Sequence, residues 1–281
     1  MRDLPACTEP AYNRRMLVET RCGRLFVEVR GVGAPVVLWH SLLCDGGMWS
    51  GQLSALATRH RVINIDAPGH GRSSPTTRGY TLEDCVDALF GVMDAAGVSA
   101  AALVGLSWGG MVAMRAALRR SERVRSLILL DTNANAESAE KLPRYRAMAF
   151  VARRLGAVPP LLDRLEPIFF SPRTRLERPE IVREFRERLA AMDPASIGHA
   201  VDCVEFDRRD IRRELVRVRC PTLVVCGVDD VATPIACSEE IVGAIPGSEL
   251  ALVPQAGHLS AWERPEVVTP LLLERLAKTE G

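Results

Sequence analysis

The stretch Ala101-Ala-Leu-Val-Gly-Leu-Ser107-Trp-Gly-Gly-Met-Val-Ala113 decides the reading of this chain. Residues 101–106 have the apolar composition of a buried strand, and from Trp108 to about residue 120 the apolar spacing is helical. Gly105-x-Ser107-x-Gly109 stands between the two. A serine on so abrupt a strand-to-helix turn takes a strained backbone, and the glycines let neighbouring chain approach closely. The helix that follows aims its free N–H groups and positive dipole end at an oxygen that becomes negative in a reaction. Gly-x-Ser-x-Gly alone occurs by chance in loops. The strand before it and the helix after it make it a nucleophile turn at the C-terminal end of a sheet.

Working outward, the same alternation continues. Arg15–Thr20 and Leu25–Arg30 read as an antiparallel hairpin turning at Cys22-Gly23. Pro35–His40, Val62–Asp66, Val124–Asp131, Thr222–Gly227 and Glu249–Val253 read as strands. Continuous rather than alternating apolar strands imply burial on both faces. Helical patterns lie at about 48–58, 81–96, 108–120, 235–245 and 263–277. This βαβα order predicts an α/β fold, a doubly wound and mostly parallel sheet. Residues 135–219 break the rhythm, with helical patterns at 140–156, 160–170, 179–192 and 197–204 punctuated by Pro159, Pro160, Pro172, Pro179 and Pro194. The expected organisation is a core of residues 14–134 and 220–277 interrupted by a helical lid, 135–219.

A serine hydroxyl needs a base to take its proton. Of the five histidines, His258, in Gly257-His258-Leu-Ser260 just beyond the last strand, lies where such a sheet gathers its reactive loops. His60 and His199 read as surface residues, His70 as part of a tight turn, and His40 as a strand-end residue shaping the loop beside the site. The base needs an acid to fix its tautomer. Chain order points to Asp229 or Asp230, with Asp230 preferred because it stands three residues before Thr233-Pro234, and Asp131 remains a rival. Backbone N–H groups of Trp108 and Leu42 are the expected oxyanion hole.

Together these motifs resemble those of the α/β-hydrolase superfamily from about residue 14 to 277. They are His40-Ser41-Leu42, Asp66-Ala-Pro-Gly-His-Gly-Arg-Ser73, the Ser107 turn, and Gly227-x-Asp-Asp230 with Gly257-His258. Within it, His40-Ser-Leu-Leu-Cys-Asp-Gly-Gly-Met-Trp49, Asp230-Val-Ala-Thr-Pro234 and His258-Leu-Ser260 resemble 3-oxoadipate enol-lactonases. Leu43 stands where those enzymes usually carry Gly, and Trp108 where they carry Met. The resemblance implies hydrolysis of a small carboxylated lactone by a Ser-His-Asp triad.

The expected activity is therefore a serine hydrolase cleaving a small carboxylic ester or lactone, with no cofactor and no metal. Carbon–carbon bond hydrolases of ring-cleavage products and cofactor-free haloperoxidases use the same triad and remain alternatives, and a non-catalytic binding protein is a further one. A lid arginine (Arg144, Arg146, Arg153 or Arg154) is a candidate clamp for a substrate carboxylate. Against that, the lid's 18 basic residues are nearly matched by its 14 acids, so surface pairing is the stronger reading. Ser41, Leu42, Trp108, Phe169, Phe170 and Trp262 are candidate pocket walls, and His40 a candidate substrate contact.

Composition bounds the rest. A net charge of +1 and 47% hydrophobic residues leave no basic field for nucleic acid or an anionic membrane and allow a full core. Of the 36 basic residues only Lys141 and Lys278 are lysine, a skew that runs through the whole chain and so reflects codon composition. The N-terminal residues show no signal-peptide pattern, and no apolar run approaches a membrane span. Eight scattered cysteines without a Cys-x-x-Cys pair read as reduced thiols of a cytoplasmic protein. No feature specifies an oligomeric state.

Overall fold

A computed structural model describes residues 13–279. Cys7 and the segment read for a signal peptide lie largely outside them. One eight-stranded sheet organises the chain: β1 (Asn13–Thr20), β2 (Gly23–Arg30), β3 (Ala34–Trp39), β4 (His60–Ile65), β5 (Ala101–Leu106), β6 (Val124–Leu130), β7 (Thr222–Gly227) and β8 (Glu249–Val253). Their order is β1-β2-β4-β3-β5-β6-β7-β8. β1 pairs antiparallel with β2 and β2 with β4, and every later pair is parallel. The doubly wound reading holds.

Strands β5 and β7 are buried along their whole length, as their unbroken apolar sequences require. Helices α2 (Leu82–Ala95) and α3 (Trp108–Arg119) pack together, and α3 lies on β5 and β6. Helix α1 (Ser50–Leu56) packs on α10 (Ser260–Glu263) and α11 (Pro265–Lys278), while α9 (Ile235–Ala244) lies on β7 and β8. Local chemistry sets the helix ends. Thr81 and Asp84 cap α2 reciprocally, each side chain bonding the other's backbone N–H. The helix expected over 263–277 is α11, which starts at Pro265 in its first turn, and the short α10 precedes it.

Five helices stand between β6 and β7: α4 (Leu142–Leu155), α5 (Pro159–Phe169), α6 (Pro172–Glu177), α7 (Pro179–Ala190) and α8 (Pro194–Val201). All five carry proline in the first turn, where its missing N–H is no loss.

The strand order places the site. From β3 the chain moves to β4 on one side and then crosses to β5 on the other, a switch that opens a crevice at the C-terminal ends of β3 and β5. Trp39 pairs with Gly105, so the loop starting at His40 and the turn at Ser107 leave the sheet at the same level. Among the described residues no helix is long and apolar enough to cross a membrane. The described cysteines are free, most of them buried.

Candidate active site

Ser107 joins β5 to α3 with φ 53° and ψ −109°, a conformation that costs a non-glycine residue roughly 1–3 kcal/mol. Its neighbours hold it there. The Ser107 N–H donates to Leu130 O at 2.8 Å, and its carbonyl accepts from Thr132 Oγ1 at 2.7 Å and Met111 N at 3.1 Å. A Cβ on Gly105 would lie 2.2 Å from the backbone of Gly109, and one on Gly109 would lie 2.1 Å from Trp39 O. Only glycine fits either place.

His258 and Asp230 are joined, with Nδ1 of His258 2.9 Å from Oδ2 of Asp230. Asp230 also accepts from the N–H groups of Ala232 (2.8 Å) and Thr233 (3.0 Å) and from the Thr233 hydroxyl (2.7 Å). Burial alone would raise the Asp230 carboxyl. The charge and hydrogen bond of His258 and the Thr233 bonds outweigh it and hold the carboxyl below its ordinary range. Burial would likewise lower His258, but the Asp230 charge and hydrogen bond raise it above its ordinary value. The rival acids sit differently. Asp229 is exposed. Asp131 is fully buried but accepts from Gly227 N (2.8 Å), Ser260 N (3.2 Å) and the Ser260 hydroxyl, and burial together with the Asp230 charge pushes its carboxyl well up.

Ser107, His258, Ser41 and Leu42 line one cavity with about 910 Å³ of empty space, its mouth included. Trp108 begins α3, so its N–H has no acceptor within the helix. Leu42 lies in a turn closed by the Cys44 N–H donating to Ser41 O at 3.2 Å, with Leu43 at φ 62° in the place where glycine is favoured.

Two buried histidines set that turn. His40 Nε2 accepts from the Ala67 N–H (2.8 Å), while Nδ1 donates to Ser41 O (2.7 Å). His70 Nε2 accepts from the Leu43 N–H (3.2 Å), while Nδ1 donates to Pro68 O (2.8 Å). Burial lowers both, His70 to about 3, so the rings stay neutral in this bonding pattern. His40 acts through the Ser41–Cys44 turn and does not line the cavity, which corrects the expectation of a substrate contact.

Other expected contacts separate. Phe169 lines the cavity and meets the His258 ring edge to face at 5.6 Å. Trp262 does not line it. Trp262 packs against Phe170 and under Arg188, whose guanidinium bonds Asp45 and Glu184 and so ties α7 to the loop after β3. The Trp108 ring is fully buried among Trp39, His70 and Tyr80, facing the packing behind the turn. Arg144 and Arg146 are exposed and off the cavity wall, Arg146 lying over Phe206, because the apolar face of α4 turns its arginines to solvent. Arg153 bonds Asp202 and Arg154 lies over Phe150. His60 is buried with Nδ1 3.2 Å from Leu56 O, and His199 is half-buried against Thr76 Oγ1 at 2.9 Å; neither is a surface residue.

Sequence reasoning missed two features. Glu263 is fully buried, and its carboxylate accepts from Gly257 N (2.8 Å) and Leu259 N (3.3 Å), on either side of His258, and from Ser171 N (2.9 Å). A Glu in a helix near the C-terminus carries no signal of this. The cavity also has a polar wall of Asn133, Glu137, Tyr145, Glu205 and Arg208, drawn from segments distant in sequence.

The arrangement matches known proteins over most of its length. A family profile described as alpha/beta hydrolase fold matches residues 34–265. The chain is 30% identical over 253 residues to the Azorhizobium caulinodans protein named "Putative carbamate hydrolase RutD", covering 89% of this chain and 93% of that one. It is 27% identical over 254 residues to 3-oxoadipate enol-lactonase 1 of Acinetobacter baylyi, covering 89% and 92%. Among solved structures, a thermophilic esterase from Thermogutta terrifontis, studied with malate bound, superimposes with a TM-score of 0.88 at 31% identity, covering 95% of this chain and all of that one.

Proposed function

The chain belongs to the alpha/beta hydrolase fold family, and on that premise we propose that it is a serine hydrolase of small carboxylic esters or lactones. The observation that carries the reading is Ser107 on its strained turn, lining the same cavity as a His258 whose Nδ1 is held by buried Asp230.

His258 takes the proton of Ser107 through Nε2 as the serine oxygen adds to the substrate carbonyl. The N–H groups of Leu42 and Trp108 hold the oxyanion, and Asp230 stabilises the cation that forms on His258. The leaving alkoxide takes that proton as the C–O bond breaks. Water, deprotonated by His258, then cleaves the acyl-enzyme and frees the carboxylic acid and Ser107. Residues 135–219 act as the lid over this cavity, and the substrate is a small molecule with largely apolar parts, in keeping with the Met148, Leu161, Leu165 and Ile197 lining. Free buried thiols and a near-neutral charge support a cytoplasmic location for this reading.

A fluorophosphonate probe tests the assignment, because only an activated hydroxyl is labelled. Labelling of the wild type at Ser107 is expected, with none in Ser107→Ala and strong slowing in His258→Ala. Absence of labelling in the folded wild type, or labelling elsewhere, would refute it.

A further inference from the structure

The cavity that serves Ser107 has a wall whose chemistry goes beyond a generic acyl pocket. Arg208, with its side chain 4% exposed, gives Nη2 to Glu137 Oε2 at 2.8 Å. Its Nη1 lies 3.8 Å from Glu205 Oε2, beyond hydrogen-bond reach. Two carboxylates thus share one guanidinium, and Glu205 and Glu137 also hydrogen-bond each other through their side chains. Asn133 is 7% exposed on the same wall, and its Oδ1 is buried with no hydrogen-bond partner among the described residues.

A purely structural ion pair would account for Arg208 and Glu137. It gives no reason for a second carboxylate and an unpaired acceptor on the cavity surface, where each forfeits water or a partner. The wall sets two carboxylates against one guanidinium, whose Nε is buried without a hydrogen-bond partner. A substrate carboxylate brought here would meet two acids against one guanidinium, whereas an ammonium would supply a donor for Asn133 Oδ1 and the missing positive charge.

We infer that Glu205, with Glu137 and Asn133, selects substrates that carry a hydrogen-bond-donating group, an ammonium above all, on the portion held in the cavity, and rejects those carrying a carboxylate there. The inference rests on the serine hydrolase reading and names its substrate class. It also gives the preference a pH dependence. Burial pushes the Glu205 carboxyl up to about 7, with the Arg208 charge opposing the rise, the Glu137 charge and hydrogen bond adding to it, and the His258 charge opposing it. Tyr145, pushed by burial to about 12, stays neutral throughout, and Lys141 reaches Glu137 only from the half-exposed outer side, at 4.0 Å. As pH rises through neutrality Glu205 loses its proton, the wall turns negative, and the ammonium preference grows.

Methyl hexanoate, methyl 6-aminohexanoate and monomethyl adipate, matched in length, provide the test. For the wild type at pH 8.5, kcat/KM for the amino ester should exceed that for the adipate monoester at least tenfold, and the ratio should shrink several-fold at pH 6. Glu205→Gln should cut the pH 8.5 ratio at least fivefold. A ratio near one, a preference for the carboxylate, or an unchanged ratio in a folded Glu205→Gln variant overturns the inference. If that variant fails to fold, the wild-type pH dependence decides. If none of the three esters is hydrolysed, the fluorophosphonate probe decides the hydrolase reading separately. Calorimetric titration of Ser107→Ala with the same three compounds then decides the wall: tighter binding of the amino ester supports it, while no binding or no order among the three overturns it.

Discussion

Carboxylate oxygens of Asp131 and Asp230 lie within 4.8 Å of each other at the ends of β6 and β7, yet only Asp230 bonds His258. Two acids in one buried place are driven apart. Asp230 is held ionised by His258 and Thr233, while Asp131, bonded to Gly227 and Ser260, is pushed toward its neutral form by burial and by its neighbour's charge. Asp230→Asn should therefore lower kcat on a neutral ester by on the order of 10³-fold or more, because the tautomer of His258 is lost. Asp131→Asn should cost less than about tenfold, since it leaves the His258–Asp230 bond in place. Steady-state kinetics on both variants checks this, and the reverse order would move the acid's role to Asp131.

The pH profile follows from the same bond. In the proposed mechanism His258 must be neutral to accept the serine proton, so activity should fall as pH drops through its pKa. Because Asp230 raises that pKa above its ordinary value despite burial, the acid limb of kcat/KM is expected above pH 6.5. In Asp230→Asn the limb should move to lower pH in the residual activity. A wild-type limb below pH 6 would contradict the pairing.

Leu43 sets two effects against each other. Its φ of 62° strains a leucine by about 1 kcal/mol, which glycine would relieve. Its side chain is 5% exposed in the core, and removing it costs about 2–5 kcal/mol. Burial wins, so Leu43→Gly should lower the midpoint of denaturation while widening the cavity beside Ser41 and Leu42. Bulkier acyl groups should then gain in relative kcat/KM. A more stable variant would show that the strain outweighs the packing.

Glu263→Ala strips acceptors from the backbone N–H groups flanking His258 and from Ser171. The unmet donors should cost about 3 kcal/mol, which for a chain of this size lowers Tm by about 6–12 °C. Well below that Tm, kcat should fall more than KM changes, since the residue positions His258 without touching substrate. A Tm loss with full kcat would make Glu263 a structural residue only.

Arg144→Ala and Arg146→Ala, both at exposed positions, should leave the ratio of kcat/KM between carboxylated and neutral esters within about twofold of wild type. A collapse of activity on the carboxylated ester alone would restore the arginine clamp.

What the sequence made legible was whatever rests on local order. The strand, Ser107 turn and helix follow one another directly, and Asp230 and His258 each stand just past a strand end, so reading along the chain found them. Arginines on α4 were weighed by type and segment. Which way a helix turns a given residue depends on partners far away in sequence, and α4 spends its apolar face on the cavity. Glu263 and the Glu137–Glu205–Arg208 group were illegible for the same reason: each acquires meaning only through atoms brought from elsewhere in the fold. His60 read as surface because it stands before a strand, on the edge opposite the reactive loops, whereas here it is covered.

The pairing of β6 with β7 spans the whole helical insertion, and this bears on how the protein comes to be active. Ser107 lies before the insertion, and Asp230 and His258 lie after it. Closing so long a stretch carries an entropy cost that grows only as the logarithm of its length, so the insertion can lengthen or vary with little penalty to the finished fold. Kinetically the cost comes early and the reward late. A chain that has folded β1 through β6 carries Ser107 but neither Asp230 nor His258 in place. Regain of turnover during refolding thus times the docking of β7, and it should lag behind the recovery of helical signal.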